Sequence, residues 1–224
     1  MRIIFNELFA VKTQDIHWYN GRMKSKSPGG ILGLDREPLP GISLRWLTAN
    51  QTTDVMLGNG ELHAAFGLVP RSSHEPSPFE KVDRYGGTRV EGNPRLQRFF
   101  TDGGRAIVTQ YYRKTGILPS NHIIVVEQRI LEEHPWLAME LYNAFERAKE
   151  VAYERARSIM GTYLLFERED YKNQAELFGD DPYSFGIRQN QKMLDVLFRS
   201  SYEEGLTKKQ ARIEDVFHTT TLET

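Results

Sequence analysis

The segment 122–130, HIIVVEQRI, constrains the fold more than any other part of this 224-residue chain. Its apolar residues are consecutive and do not alternate with polar ones, so a strand formed here needs cover on both faces. Such strands are typical of parallel or mixed sheets, whose faces are packed against helices. The pattern therefore predicts a buried strand in a layered α/β fold.

The segment 132–159 carries the clearest helical pattern of the chain. Pro135 suits the first helical turn, where its missing N–H is not needed, and Glu132 and Glu133 lie beside it. Apolar residues recur at helical spacing along one stripe, namely Ala138, Leu141, Tyr142, Phe145, Ala148 and Ala152. This spacing predicts one long amphipathic helix.

Capping signals mark two further helices. Asp102 is a suitable N-cap and Gly116 a suitable C-terminal stop for a helix within 101–116. A last long helix is predicted over 187–206, ending at Gly205. Its inward residues would be Leu194, Leu197, Phe198 and Tyr202.

Shorter elements complete the pattern. A helix is predicted at 1–11 and another after 50–54, stopped by glycines at 58 and 60. Strands are predicted at 15–21, 41–47 and 62–68, while 22–40 and 70–94 have the Gly, Pro and Ser content of loops. Strands that alternate with helices predict the α/β class.

The composition excludes several classes of function. A net charge of -1 offers no electrostatic basis for binding nucleic acid or an anionic membrane. The chain has no cysteine, which rules out disulfides, thiolate metal sites and a cysteine nucleophile. No stretch has the apolar length of a membrane span, and the N-terminus lacks the pattern of a secretory signal. We therefore expect a cytoplasmic protein, although an exported mature chain would look the same apart from Met1.

Motifs of common catalytic sites are absent. The sequence contains no G-x-G-x-x-G, Walker A, G-x-S-x-G or H-E-x-x-H pattern. Its histidines are scattered, at His17, His63, His74, His122, His134 and His218. No pair has metal-ligand spacing on one helix face, so no metal site is predicted, and a site assembled from distant segments stays open.

Two single residues are candidates for ligand contact. His122 stands where a Pro-marked turn enters the apolar run, and it either faces a ligand or bonds a neighbouring backbone group. Arg71 follows the predicted strand 62–68 into a loop, the end at which open α/β sheets collect ligands. Its guanidinium suits a carboxylate, although a solvated loop arginine has the same signature.

Four segments in order resemble the 4,5-dihydroxyphthalate decarboxylase family, which has a type II periplasmic-binding-protein-like fold. They are NGELHAAFGLVPR, YYRKTGILPSNH, HPWLAMELYNAFERAK and DPYSFGIRQNQKMLDVLFRSSYEEGL, and the last three span most of 90–217. The family's Ile-Met before the histidine is Ser120-Asn121 here, and the Asp of its G-E-I-D-A strand is His63. These departures leave the substrate preference open.

The resemblance implies two α/β lobes, each with a mixed sheet, and a cleft between them. Residues 1–15 would be a residual helix of lobe one, 16–110 lobe two, and 111–224 the C-terminal part of lobe one. The segment RIIFNELFAVKTQDIHWYNG matches a stretch that lies well inside a full-length member. The first lobe would thus be incomplete, with an uncovered sheet edge that a homo-oligomer or another chain would have to cover.

The resemblance also implies an activity, namely decarboxylation of a small anionic aromatic acid such as 4,5-dihydroxyphthalate. His122 would be the acid/base group and Arg71 the carboxylate anchor, with Lys114 and Tyr183 as further substrate-binding candidates. No organic cofactor is implied, no metal ligand is assigned, and the need for a divalent metal stays open. Two alternatives stay open: a non-catalytic solute-binding protein for an organic anion, and an inactive remnant.

Overall fold

The structure is a computed structural model that describes residues 2–22, 25, 27, 41–65, 93–120, 122–162 and 164–224. It is an α/β structure in which helices dominate and a small parallel sheet has two strands. The predicted class is therefore confirmed at this level. The chain divides into two compact units, Met1–Gly104 with Glu203–Leu206, and Arg105–Tyr202 with Thr207–Thr224.

The first unit contains the sheet. Helix α1 is Arg2–Phe9, strand β1 is His17–Asn20, strand β2 is Ser43–Trp46 and helix α2 is Thr53–Asn59. The strands are parallel and pair Trp18 with Leu44. Helix α2 ends at Gly60, whose φ of 79° is in the left-handed region that glycine reaches without strain. These elements confirm the predictions for 1–11, 15–21 and 41–47, and the stop at residue 60. The stop predicted at Gly58 is wrong, because that residue lies inside α2.

The core of the first unit lies between the sheet and α2. Its buried apolar side chains are Ile42, Leu47 and Met56. A Cβ atom added to Gly21, just after β1, would lie 2.8 Å from Thr53 Oγ1, so only glycine lets α2 approach the strand this closely. Arg2 and Thr13 both bind Glu204, at 3.0 and 2.8 Å, which attaches α1 to the 203–206 segment.

The second unit is helical. It contains α3, Arg105–Thr115; α4, Gln128–Glu133; α5, Leu137–Ile159; α6, Glu167–Phe178; α7, Ile187–Glu203; and α8, Ile213–Val216. Gly116 follows α3 with a φ of 69°, as predicted for a C-terminal stop. The described buried apolar side chains of this unit are Tyr111, Ile117, Ile187 and Leu194.

Polar contacts fix the ends of these helices. Arg105 at the start of α3 binds both oxygens of Asp170 on α6, at 2.8 and 3.0 Å, and this pairing lowers the pKa of Asp170. Thr224 accepts hydrogen bonds from the first two amides of α7 through its Oγ1 and carbonyl oxygen. The turn Thr219–Thr221 packs against α5.

The strand predicted at 122–130 is wrong. Residues 122–127 form neither helix nor strand, and 128–130 begin α4. A strand exists only when another strand pairs with it, and no described segment does so here. Residues 62–65 of the predicted strand 62–68 are likewise outside any strand, while 66–68 lie outside the described residues.

Several helix details also differ from the predictions. The segment 132–159 is divided, because α4 ends at Glu133 and α5 begins only after Pro135 and Trp136. Asp102 does not cap α3, which begins three residues later; it accepts a hydrogen bond from Gly104 instead. Leu197 and Tyr202 are exposed and so are not inward, whereas Leu194 is buried as predicted.

Candidate functional site

The predicted site residues take different positions. His122 is exposed, and its carbonyl oxygen accepts a hydrogen bond from Ser120 Oγ at 3.3 Å. Lys114 is exposed on the last turn of α3, and Tyr183 is exposed in the loop 179–186 between α6 and α7. Arg71 lies outside the described residues. His122, Lys114 and Tyr183 thus belong to the second unit and all reach solvent.

A cavity of about 470 Å³ lies inside the second unit. This volume is in the range of small-molecule sites. Four elements supply its walls: the end of α3 with the residues after it, α5, the end of α6 with the loop 179–186, and α7. The lining residues are Tyr112, Gly116, Ile117, Leu118, Tyr142, Glu146, Phe178, Asp181, Pro182, Ser184, Phe185, Gln189, Asn190, Lys192 and Met193.

Three of the predicted residues, Lys114, His122 and Tyr183, are absent from the lining of this cavity. Ile117 and Leu118 lie four to five residues before His122, and Ser120 N contacts Met193 Sδ on α7 at 3.1 Å. Pro182 and Ser184, on either side of Tyr183, both line the cavity. The three predicted residues are therefore neighbours in sequence of lining residues.

Four aromatic residues line the cavity, and three of them take part in described ring pairs. Tyr112 on α3 and Phe178 on α6 meet edge to face, with ring centroids 4.8 Å apart and planes at 70°. Phe185 in the loop 179–186 makes a second edge contact with Phe145 on α5, at 6.4 Å. Edge-to-face pairs contribute about 0.5–1.5 kcal/mol beyond burial, so they help to hold these elements together.

A charged network borders the same wall. Lys149 on α5 is only 10% exposed at its side chain, and its Nζ contacts Glu146 at 3.1 Å and Asp181 at 2.6 Å. The ammonium also lies 4.8 Å from the centroid of the Phe185 ring, a cation–π contact. Tyr153 donates a hydrogen bond from its hydroxyl to Asp181 at 2.9 Å. The network fixes the loop 179–186 against α5.

The network shifts two pKa values. Burial alone would lower the pKa of Lys149, but its hydrogen bonds to Asp181 and Glu146 outweigh that effect and raise the pKa above 10.5. Burial and the hydrogen bond to Asp181 raise the pKa of Tyr153 to about 12. Both groups are therefore protonated at neutral pH, and Lys149 acts as a fixed cation there.

Lys192 is the cationic group of the cavity wall itself. No described carboxylate lies within ion-pair distance of it, and a Cβ atom on Gly116 would be 3.6 Å from its Nζ. The side-chain amides of Gln189 and Asn190 line the wall beside it. The side-chain amide of Asn190 donates hydrogen bonds to the carbonyl oxygens of Ser184 and Gly186, at 3.0 and 2.8 Å, and so stabilises the loop 179–186.

Three charged residues of the cavity lining, Glu146, Asp181 and Lys192, were not predicted from the sequence, and neither was Lys149, which contacts the first two. Spacing offers one signal, because Glu146 and Lys149 are three residues apart on one helix and must be neighbours. The contact of Lys149 with Asp181 crosses 32 residues of sequence and has no local signature. In the parts of the chain that the structure describes, no group of three His, Asp or Glu side chains is placed to hold a metal ion.

Comparison with known proteins gives one distant relationship. No family model matches the chain. The chain is 28% identical, over 225 aligned residues, to a 4,5-dihydroxyphthalate decarboxylase of Comamonas testosteroni. The match covers all of this chain and 63% of that protein, so the chain spans less than two thirds of its relative's length. The described helices include none with the length and apolar character of a membrane span.

Proposed function

We propose that the chain belongs to a carboxy-lyase that removes carbon dioxide from a hydroxylated aromatic dicarboxylic acid such as 4,5-dihydroxyphthalate. The observation that carries this proposal is the 28% identity to a 4,5-dihydroxyphthalate decarboxylase, which extends over the whole chain. The cavity of the second unit supports it, because a mostly polar lining that includes aromatic side chains and the cationic Lys192 suits a carboxylated ring.

The reaction requires no covalent bond between the substrate and the protein. A ring hydroxyl gives up its proton, and its electrons move into the ring. The ring carbon that carries the carboxylate then takes up a proton from an acid group. The bond to the carboxylate breaks, its electron pair returns to the ring, and carbon dioxide leaves. The protein has to hold the anion and supply one proton-transfer group.

The proposed roles follow from side-chain chemistry. Imidazole exchanges a proton in the neutral pH range, so His122, which reaches solvent, is the proposed acid/base group. Arg71 is the proposed anchor of one carboxylate, since guanidinium binds two oxygens at once. Lys114 at the end of α3 and Tyr183 in the loop 179–186 are further proposed substrate contacts. Lys192 joins them as a cation on the cavity wall.

The proposed architecture is that of a type II periplasmic-binding-protein-like fold with an incomplete first lobe. In this arrangement 1–15 and 111–224 contribute to lobe one and 16–110 forms lobe two. The proposed setting is the cytoplasm, and the proposed chemistry uses no organic cofactor. The substrate is a small anionic aromatic molecule.

The test is carbon dioxide release from 4,5-dihydroxyphthalate by the purified protein and by His122→Ala. We expect turnover in the wild type and a fall of at least about 100-fold in the variant, the usual scale of general acid–base catalysis. His17→Ala is the matched control, because His17 is also exposed but lies in the first unit. It should keep wild-type turnover.

Two other outcomes would contradict the proposal. Saturable binding of the aromatic acid, measured by calorimetry, without carbon dioxide release would identify a solute-binding protein. Equal turnover in the wild type and in His122→Ala would leave the activity but remove the proposed role of the imidazole.

A further inference from the structure

The cavity of the second unit carries opposite charges on different walls. Glu146 on α5 and Asp181 in the loop 179–186 supply two carboxylates, which we call the acidic end. Lys192 on α7 supplies an ammonium, which we call the cationic end. Lys192 makes no ion pair with any described carboxylate, so contact does not neutralise the two ends. A ligand in the cavity therefore meets an acceptor of hydrogen bonds and a separate cation.

The acidic end keeps one negative charge and free acceptor capacity. Among the described residues, Lys149 is the one cation in contact with Glu146 and Asp181, at 3.1 and 2.6 Å. Tyr153 donates to the other oxygen of Asp181 at 2.9 Å, so both oxygens of Asp181 have a donor. Glu146 has the Lys149 ammonium as its one described donor, whereas a carboxylate offers about four lone-pair positions. Glu146 can therefore accept a further hydrogen bond.

Lys149 holds this acceptor in one position. Its side chain is 10% exposed, and its Nζ contacts Glu146 and Asp181 at the same time. Its raised pKa keeps the ammonium protonated at neutral pH, so the bridge between the two carboxylates persists there. Glu146 thus offers its remaining lone pairs from a fixed carboxylate.

The cationic end lies against the chain segment that leads to His122. A Cβ atom on Gly116 would be 3.6 Å from Lys192 Nζ. The next residue of α7, Met193, has its Sδ 3.1 Å from Ser120 N. An ammonium binds a carboxylate through a charge-assisted hydrogen bond. A carboxylate bound by Lys192 would therefore lie beside the backbone that continues to the proposed acid/base residue.

We propose that this cavity orients a hydroxylated aromatic acid, with its carboxylate at Lys192 and a ring hydroxyl donating a hydrogen bond to Glu146. The inference rests on the proposed function, because it assigns an orientation to that class of substrate. A ring such as 4,5-dihydroxyphthalate suits both ends, since its carboxylates and its hydroxyls lie on opposite edges. The aromatic side chains of the lining provide surface for the ring itself.

This orientation supports the proposed reaction. A hydroxyl that donates to a carboxylate carries more electron density on its oxygen, and the reaction moves that density into the ring. The carboxylate that leaves is held at the opposite edge, by Lys192. Glu146 thus orients the substrate and determines specificity for a hydroxylated ring, while His122 keeps its proposed role in proton transfer.

The test compares the binding of two ligands, 3,4-dihydroxybenzoate and benzoate, which differ only in the ring hydroxyls. The first is the product expected from 4,5-dihydroxyphthalate, so turnover does not consume it during the measurement. Isothermal titration calorimetry on the 224-residue chain should give a Kd for 3,4-dihydroxybenzoate that is at least about tenfold lower than that for benzoate. A site that accepts a hydrogen bond from a hydroxyl discriminates against the analogue that lacks it.

Variants assign the two ends of the cavity. Glu146→Gln keeps the size of the side chain but removes its charge. It should raise the Kd of 3,4-dihydroxybenzoate at least about fivefold and change that of benzoate less than about twofold. Lys192→Met keeps most of the aliphatic stem and should raise both Kd values at least about tenfold, because both ligands carry the carboxylate.

Two matched controls lie outside the cavity lining. Glu150 is 61% exposed on the same helix as Glu146, and Lys172 is 67% exposed on α6. Glu150→Gln and Lys172→Met make the same chemical changes as the test variants. Both should leave the two Kd values unchanged.

Equal Kd values for the two ligands in the wild type would overturn the proposal, and this comparison needs no variant to fold. Absence of saturable binding would do the same. An equal loss for both ligands in Glu146→Gln would also overturn it, since Glu146 would then act through the structure alone. Hydroxyl-dependent binding without carbon dioxide release would remove the proposed decarboxylation and keep the orientation, whereas turnover without such binding would do the reverse.

Discussion

Replacing Lys149 with methionine should destabilise the second unit by about 2–3 kcal/mol. The ammonium makes charge-assisted contacts with Asp181 and Glu146, whose side chains are 42% and 29% exposed. Fully buried contacts of this kind contribute about 1.5–3 kcal/mol each, and partial exposure reduces this to about 1 kcal/mol. The contact with the Phe185 ring adds about 0.5–1 kcal/mol. Methionine keeps most of the aliphatic stem, so packing changes little.

The direction of the pKa shift supports a net stabilising network. Taking an ammonium out of water lowers its pKa, and many buried ion pairs fail to recover that cost. The pKa of Lys149 is nevertheless raised, because the hydrogen bonds to Asp181 and Glu146 exceed the effect of burial. The charged form of Lys149 is therefore more stable in the folded protein than in water. This contribution is fully present below pH 10.5 and is lost as the pH rises through the raised pKa.

Urea unfolding followed by circular dichroism measures this prediction. Arg147→Met is the matched control, since Arg147 contacts Glu150 on the same helix at 3.1 Å with the same three-residue spacing. Its side chain is 78% exposed, so its loss should cost at most about 0.5 kcal/mol. Combining Lys149→Met with Asp181→Asn should reveal a coupling of about 1–2 kcal/mol. Equal free energies of unfolding for Lys149→Met and Arg147→Met would refute the reasoning.

Two further predictions concern the same unit. The pKa of Tyr153 is raised from 10.0 to about 12, so between these pH values the folded state holds a proton that the unfolded state has lost. The free energy of unfolding should therefore fall across this range, by at most about 2 kcal/mol after solvent screening. Urea unfolding at alkaline pH measures this, and the fall should be smaller in Tyr153→Phe. Gly186→Ala should destabilise the protein by at least about 1 kcal/mol more than Gly103→Ala. Both glycines have a positive φ, but only at Gly186 would a Cβ atom lie 2.9 Å from the backbone of Thr224. Thermal unfolding of the two variants checks this, and equal melting temperatures would contradict it.

Helix ends were the most predictable part of the fold, because their signals are local. Gly60 and Gly116 end α2 and α3 where the sequence places them, since each needs a positive φ that glycine adopts without strain. The helix α6 was missed, because half of its residues are charged and the others form no clear apolar stripe. The acidic residues Glu167, Glu169 and Asp170 at its start are a usable signal, as they favour a helix N-terminus.

The site was less predictable than the helices for a physical reason. His122 and Tyr183 were chosen as polar residues in loops, and neither belongs to the lining of the cavity. The wall depends on contacts such as Lys149 with Asp181, which join a helix to a loop 32 residues away. Local spacing carries no information about such a contact. Only the packing of α5 against the loop 179–186 creates it.

The strand prediction at 122–130 failed because pairing is a property of two segments, whereas propensity is a property of one. The same segment begins with His122, so strand formation would also fix the backbone that carries the proposed acid/base group. Catalysis requires this group in one fixed position. Among the described residues no strand pairs with 122–127, so no strand pairing fixes the backbone of His122.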